Sequence, residues 1–376
     1  IKKISKKKFK EKELEELKSR LIAVWKEKTG SEKGFDTTWD IMEAFSKYAF
    51  NASHSVSYAY DSVYGAYAKA HYPYEFYSVM LQTYSDKGDK DRVALFRDEM
   101  KQAFGIEQGE YKFRLDNRKY TADKEHHRIN PSLSALKGIG SSVAEELYNI
   151  RDCQCDTFTA LLLYMRENTG ISRSVIESLI KINYFSEFGN VNKLLYVLKV
   201  FDYLYDKTNR RFKKNIQKST LGQHGLTAEL VSAFAKKETE KTYGMVDSLG
   251  MLREIENIDF KELPSNMLAS YQMQVIKDVL FRDPKASGVC VIRDVDAKVG
   301  AKITGYSLKN GGYFPFRIGK KEFNKRELNS GDVIQIIGYG YRLKQKQVDG
   351  KWINDTTGQK ELWVNDYRIL WKVDKG

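Results

Sequence analysis

The stretch Leu136-Lys137-Gly138-Ile139-Gly140-Ser141-Ser142-Val143-Ala144-Glu145-Glu146-Leu147 constrains the fold of this chain more than any other. A short apolar segment meets a Gly-x-Gly turn, and an amphipathic helix begins at once. Leu136, Ile139, Val143, Leu147 and Ile150 recur at three- and four-residue steps, which sets them on one helical face. Gly138 and Gly140 permit a positive φ and let another backbone approach closely. Ser141 and Ser142 are expected to cap the helix, and Glu145 stands three residues after Ser142, the spacing of a capping box.

Amides at such a helix start point outward and, with the helix dipole, favour an anion. Lys137 adds a positive charge beside them. This is the anatomy of a helix-hairpin-helix element, which grips DNA by its phosphates without reading bases. The same Gly-x-Gly is also a common turn. A dinucleotide fingerprint needs a third glycine, and Val143 occupies that position.

The totals favour a polyanionic partner. The 376 residues carry a formal net charge of +13, with an isoelectric point near 9.2, and nucleic acid suits that balance best. Neither a membrane span nor a signal peptide is expected. Cys153 and Cys155 stand too close for an ordinary disulfide framework and Cys290 is alone, so a cytoplasmic protein is expected. The 24 tyrosines suit either large cores or base stacking. A start at Ile1 suggests a fragment of something longer, or processing.

Residues 2–12 hold seven lysines and one glutamate, read as a solvated tail or a phosphate contact. Leu14, Leu17, Leu21, Ile22 and Trp25 mark a helix ending near Gly30. A second helix carries Trp39, Phe45 and Tyr48. The polar cluster Asn51-Ala52-Ser53-His54-Ser55-Val56-Ser57-Tyr58 follows, suited to a phosphate, a base or internal hydrogen bonds. The next helix runs to His71, and Pro73 can open another at its first position.

Here a resemblance becomes specific. Phe50 to Ala59, followed by Ala66-Tyr67-Ala68-Lys69-Ala70-His71-Tyr72-Pro73-Tyr74-Glu75-Phe76, resembles the end of the fingers domain in bacterial C-family replicative DNA polymerases. These are the polymerase III α subunits and their phage relatives. Ala52 stands where the family has Lys. Ala135 to Arg151 resembles the family's hairpin motif, and Val175 to Phe185 a helix that follows it, in family order. The resemblance implies that Asn51, Ser53, His54 and Tyr58 lie near the incoming deoxynucleotide, and that Lys137, Gly138, Ile139, Gly140, Ser141 and Ser142 hold a duplex.

Gly105 to Pro131 looks like a shortened form of the insert that precedes the hairpin in this family. The neighbours His126 and His127 point apart and suggest no metal site, nor does Cys153-Gln154-Cys155. A second hairpin turn would lie at Gly170-Ile171-Ser172-Arg173-Ser174. It lacks the Gly-x-Gly and is expected to support packing. Lys207, Arg210, Arg211, Lys213 and Lys214, close to Tyr203, Tyr205 and Phe212, form a duplex-facing stripe or a solvated linker. Residues 219–270 read as helical linker.

From Ser287 the period changes to alternation. Five strand candidates, at Val289–Ile292, Ile303–Leu308, Tyr313–Ile318, Val333–Ile337 and Leu362–Val364, suit an OB barrel. Tyr306, Tyr313, Phe314 and Phe316, interleaved with Lys309, Arg317, Lys320 and Lys321, are read as a single-strand face, with Tyr313 and Arg317 its chosen contacts. Val279-Leu280-Phe281 resembles the clamp-binding peptide of some family members without its leading Gln, which makes a sliding clamp a candidate partner. The same residues also read as a helix end.

The expectation is a multidomain α + β chain: a helical fingers tail (1–115), a helix-hairpin-helix domain (116–190), a helical linker (191–285) and a five-stranded OB-type barrel (286–376). Two-metal nucleotidyl transfer needs clustered carboxylates, which the family draws from an upstream palm. The only Asp-x-Asp here is Asp294-Val295-Asp296, read as surface charge. The chain is therefore expected to bind DNA, duplex and single-stranded, without polymerising it, its Mg²⁺ belonging to the full polymerase. The rival reading is a stand-alone, non-catalytic DNA-binding accessory protein of a phage or mobile element.

Overall fold

The computed structural model describes residues 11–48, 52–136, 138–297, 301–348, 351–354 and 357–373. The chain divides into two compact units, Ile1–Phe76 and Tyr77–Gly376. Asn51, Lys137 and most of the lysine run lie outside the described residues.

The first unit is helical: α1 (Glu11–Thr29), α2 (Phe35–Tyr48) and α3 (Ala52–His71) precede α4 (Pro73–Asp86), which continues into the second unit. Gly30 and Gly34, both at positive φ, break the chain between α1 and α2 where a side chain would be strained. Trp25 meets the buried Phe35 edge-on at 6.0 Å, and Phe35 stacks on Trp39. The cluster read as a polar junction is itself helical from Ala52 onward, the N-terminal part of α3. Pro73 opens α4, where its missing N–H costs nothing.

In the second unit, α5 (Lys90–Phe104) is capped by the Asp89 side chain and ended by Gly105 in the left-handed conformation. A three-stranded sheet follows, with β1 (Glu107–Gln108), β2 (Thr121–Asp123) and β3 (Arg128–Asn130) in the order β1-β3-β2. A 3₁₀ turn at Leu133–Ala135 leads to α6 (Ser141–Asn149), α7 (Phe158–Asn168), α8 (Arg173–Lys181) and α9 (Val191–Leu204). The residues read as one helical face all reach the core, although Leu136 and Ile139 precede α6 and Ile150 is its C-cap: Leu136, Ile139, Leu147 and Ile150 are buried with Phe158, Leu179 and Phe201, and Val143 packs against them.

Residues 205–276 are only partly helical. The hairpin β4 (Tyr205–Asp206) and β5 (Arg211–Phe212) precedes β6 (Asn215–Gln217), α10 (Leu221–His224), α11 (Ala228–Ala233), β7 (Lys237–Glu238), β8 (Thr242–Gly244), α12 (Ser248–Asn257) and α13 (Ser265–Ile276). Leu226, Val231, Leu252 and Ile255 join the same core as the hairpin helices, so this stretch packs where the sequence suggested a linker. Buried Glu256 on α12 accepts the Phe158 and Thr159 amides at 3.0 and 2.7 Å, filling two of the donors left open at the start of α7.

The final segment is the expected barrel. Strands β9 (Val289–Asp296), β10 (Ala301–Ser307), β11 (Gly312–Ile318), β12 (Val333–Leu343) and β15 (Lys360–Trp371) close in the order β10-β11-β15-β12-β9. Helix α14 (Lys320–Lys325) lies between β11 and β12, and the hairpin β13 (Gln345–Val348) and β14 (Lys351–Asn354) between β12 and β15. Closure comes from parallel pairing of Arg317 and Ile318 with Trp363 and Val364. A Cβ on Gly305 would stand 2.1 Å from the Cys290 sulfur, so only glycine fits at that bulge. The fold is multidomain α + β with a helical N-terminal portion and an OB-type barrel. Among the described residues, no helix is long and apolar enough to cross a membrane.

Candidate nucleic-acid interface

At the hairpin turn the sequence sets buried and exposed residues side by side. Ile139 is buried in the helical core, while Gly138, Gly140, Ser141 and Ser142 around it are exposed. Burying an isoleucine contributes about 1.5–3 kcal/mol, which anchors the turn and holds its glycines outward. Gly138 sits at φ +81, and a Cβ there would meet nothing within 4 Å.

Two details depart from the sequence reading. Gly140 has φ −84 and ψ 171, extended backbone open to any residue, so it needs no glycine for its conformation. It is Gly140, not either serine, that occupies the N-cap, and α6 has no side-chain cap. The capping box does not form, because Ser141 already lies inside the first turn and Glu145 turns to Arg118 at 3.2 Å. Since the first intrahelical bond runs from Ala144 to Gly140, the earlier amides of α6 face the open side of the turn. That is an anion-receptive end.

The second turn is built differently. Ile171 is buried as Ile139 is, but the Gly170 amide donates to Glu146 on α6 at 2.7 Å, and Ser172 caps α8 through the Val175 amide. A carboxylate of the chain already occupies the place an external anion would take.

Between β4 and β5 the chain forms a tight basic hairpin. Asp206 accepts the Thr208 and Asn209 amides at 3.0 and 3.1 Å, and the Asn209 side-chain amide at 2.7 Å. Those bonds, the Asn209 side chain first, hold its carboxyl below the ordinary range. Lys207, Arg210, Arg211, Lys213 and Lys214 are all exposed, and among the described residues no carboxylate forms an ion pair with them. Several arginines elsewhere in this unit are tied down: Arg114 to Glu187, Arg166 to Asp202, Arg317 to Glu361. Lys213 also stands 4.5 Å from the Tyr203 ring, which stacks on His224 at 3.7 Å. The sequence reading missed His224, since only the packing of α9 against α10 brings it under Tyr203.

The remaining candidates are dispersed. In the first unit, His54 and Tyr58 are one turn apart on α3 with rings edge-on at 4.4 Å, and Tyr58 is exposed. The Ser53 backbone is helical, and Asn51 lies outside the described residues. On the barrel, Phe316 is core and Tyr306 is buried, its hydroxyl donating to the Phe281 carbonyl at 3.0 Å. The Tyr313 hydroxyl donates to Asp278, and Arg293 lies 4.8 Å from its ring. Arg317 pairs with Glu361 at 2.7 Å. Both intended strand contacts are thus engaged internally.

The segment resembling a clamp-binding peptide is also held. Asp278 pairs with Arg97 at 2.6 Å, Val279 is buried, and the Leu280 amide donates to Gln272. No metal set accompanies these features: Asp294 lies on β9 beside Arg293 at 3.5 Å, and among the described residues no three His, Cys, Asp or Glu groups could hold an ion. The Mg²⁺ implied by the resemblance does not fit the side chains described.

An uncapped glycine turn stands on the helical core, with a five-stranded barrel later in the chain, and the family model described as the helix-hairpin-helix motif matches residues 103–194. More particularly, the chain is similar to DNA polymerase III subunit alpha. It is 31% identical to that of Campylobacter jejuni subsp. jejuni serotype O:2 over 244 residues, 61% of this chain and 19% of the relative. It is 32% identical to that of Aquifex aeolicus over 172 residues (45% and 14%) and 28% identical to that of Thermus aquaticus over 192 residues (49% and 15%). The similarity is to a C-terminal portion of the α subunit, and the chain spans about a fifth or less of these relatives' length.

Proposed function

We propose that this chain is the DNA-binding C-terminal portion of a C-family replicative polymerase and holds duplex DNA by its sugar–phosphate backbone without regard to sequence. The observation that carries the reading is the hairpin turn, where uncapped α6 amides stand beside exposed Gly138 and Gly140. Phosphate oxygens would accept from those amides, with Lys137 adding charge. The exposed cations Lys207, Arg210, Arg211, Lys213 and Lys214 would supply further phosphate contacts. In the whole enzyme, working in the cytoplasm, residues 1–115 would complete the fingers, with Asn51, Ser53, His54 and Tyr58 near the deoxynucleotide. Residues 116–190 would clamp the duplex, 191–285 would join it to the barrel of 286–376, and the palm would supply the Mg²⁺ ligands. Any clamp contact through Val279 to Phe281 would have to expose Val279, which is buried.

Fluorescence anisotropy of the purified chain with several duplexes of unrelated sequence across a salt series tests this. Affinities should agree within a few-fold, and log K should fall linearly with log salt by about 0.9 per phosphate contact. A strong preference for one sequence, or binding indifferent to salt, would refute it.

A further inference from the structure

A concentration of positive charge lies away from the glycine turn, where α9, the residues after β5 and α10 meet. His224 is the last residue of α10, and its ring stacks on Tyr203 of α9 at 3.7 Å with 16° between the planes. Packing fixes both rings. Buried Leu221 and Leu226 flank His224 in the sequence, and the Gly225 carbonyl accepts the Tyr196 hydroxyl at 2.6 Å. The Tyr203 and Thr220 hydroxyls share a hydrogen bond of 2.6 Å.

The charges around this stack lack a counterion. Lys213 stands 4.5 Å from the Tyr203 ring, and Lys199, one turn before Tyr203 on α9, is exposed. Partial burial, followed by the ammonium groups of Lys199 and Lys213, holds the His224 imidazole below its usual proton affinity. The acidic groups of the surrounding elements are engaged elsewhere: Asp202 with Arg166 and Arg173, Asp206 with the turn amides, and Glu238 with Lys218. His126 shows the contrast, since Asp123 lies 2.9 Å from its ring. Two ammonium groups and a half-buried imidazole therefore come together from three segments without an anion. A phosphate supplies what is missing. Its oxygens point in several directions and accept from all three donors, and its charge reverses the penalty on the imidazolium.

We propose that Lys199, Lys213 and His224 form a phosphate-binding site in which the imidazolium form of His224 holds the anion. Binding there takes up a proton, so affinity falls as pH rises. The site adjoins the basic hairpin, and a duplex lying on that hairpin supplies the phosphate from its backbone. That source rests on the duplex reading above, whereas the site itself does not.

The test follows the His224 imidazole of the full chain by NMR, its signal identified by loss in His224→Gln. The pH is lowered from about 8 to about 5.5, across the ordinary imidazole value of about 6.5, in chloride, inorganic phosphate or a short duplex at equal ionic strength. Inorganic phosphate should move the titration midpoint upward. Lys199→Gln and Lys213→Gln should each need about two- to fivefold more phosphate for half of that shift. Duplex should move the midpoint in the same direction. Its affinity, read by anisotropy, should fall about three- to tenfold between about pH 6 and about pH 8 in wild type, with a smaller fall in His224→Gln. A midpoint raised by phosphate and not by duplex supports the site and makes free phosphate its ligand. A midpoint unmoved by both would overturn the proposal, and so would a phosphate requirement unchanged in both lysine variants. Tight duplex binding beside an unmoved imidazole would refute this site alone and leave the duplex reading standing.

Discussion

Placing aspartate at position 140 separates stability from DNA binding. Gly138 is the poorer probe, because a side chain at its positive φ costs about 1–2 kcal/mol in strain alone. Gly140 already has the backbone of a capped N-terminus: φ −84 and ψ 171, against −75 and 157 for Ser172, which does cap α8. A Cβ added at Gly140 would have only the Ser142 hydroxyl near it, at 3.8 Å, an ordinary contact. In Gly140→Asp the carboxylate can accept from the first-turn amides. The cap gains a few tenths of a kcal/mol over glycine and the dipole about 0.3–1 kcal/mol, so the variant should fold about 0.5–1 kcal/mol more stably. The same carboxylate takes the amides away from a phosphate. One charge-assisted bond is worth about 1.5–3 kcal/mol, so duplex affinity should fall about 10- to 150-fold. Urea unfolding reports the first effect and anisotropy with a short duplex the second. A variant that is more stable yet binds duplex with unchanged affinity and salt slope would refute phosphate capture at this turn.

The basic hairpin gives a second expectation: Arg210→Ser/Arg211→Ser/Lys214→Ser should flatten the log–log salt slope for duplex by about 2.7, at about 0.9 per contact. Its urea midpoint should stay put, because no described carboxylate pairs with these groups; an unaltered slope would show them to be solvated charge. Glu256→Ala strips two buried amides of their acceptor and should cost about 2–4 kcal/mol of stability, whereas a change below about 0.5 kcal/mol, the usual scale of surface substitutions, would contradict that role. The thiols should divide by burial: Cys155 is pushed up to about 12 by burial and by its hydrogen bond with Cys153, and Cys290 is raised by burial alone. A raised thiol pKa favours the neutral form, so the stability it contributes is complete below the ordinary value of about 8.5 and fades as pH climbs toward 12. At about pH 8 a thiol reagent should therefore react quickly with Cys153 only; rapid reaction of two or more cysteines in the folded chain would disprove this.

What could be read from the sequence was whatever repeats locally. Val143 and Leu147 share a helical face because their spacing matches 3.6 residues per turn, and alternation from Val289 onward required strands, whereas Leu136 and Ile139 reach the same core from the turn before α6. The resemblance to the polymerase α subunit rested on motifs of the same local kind. Tertiary structure decided which outward-facing groups remain available. Tyr313 and Arg317 alternate as surface residues should, yet Asp278 and Glu361, 35 and 44 residues away, engage them. Arg210 looked no different in the sequence and has no ion-pair partner among the described residues. Local period fixes the face a side chain takes, but only long-range packing determines whether a carboxylate, a ring or solvent meets it there. At the hairpin the N-cap position falls on Gly140, which has no side chain, and the α6 amides are left uncapped.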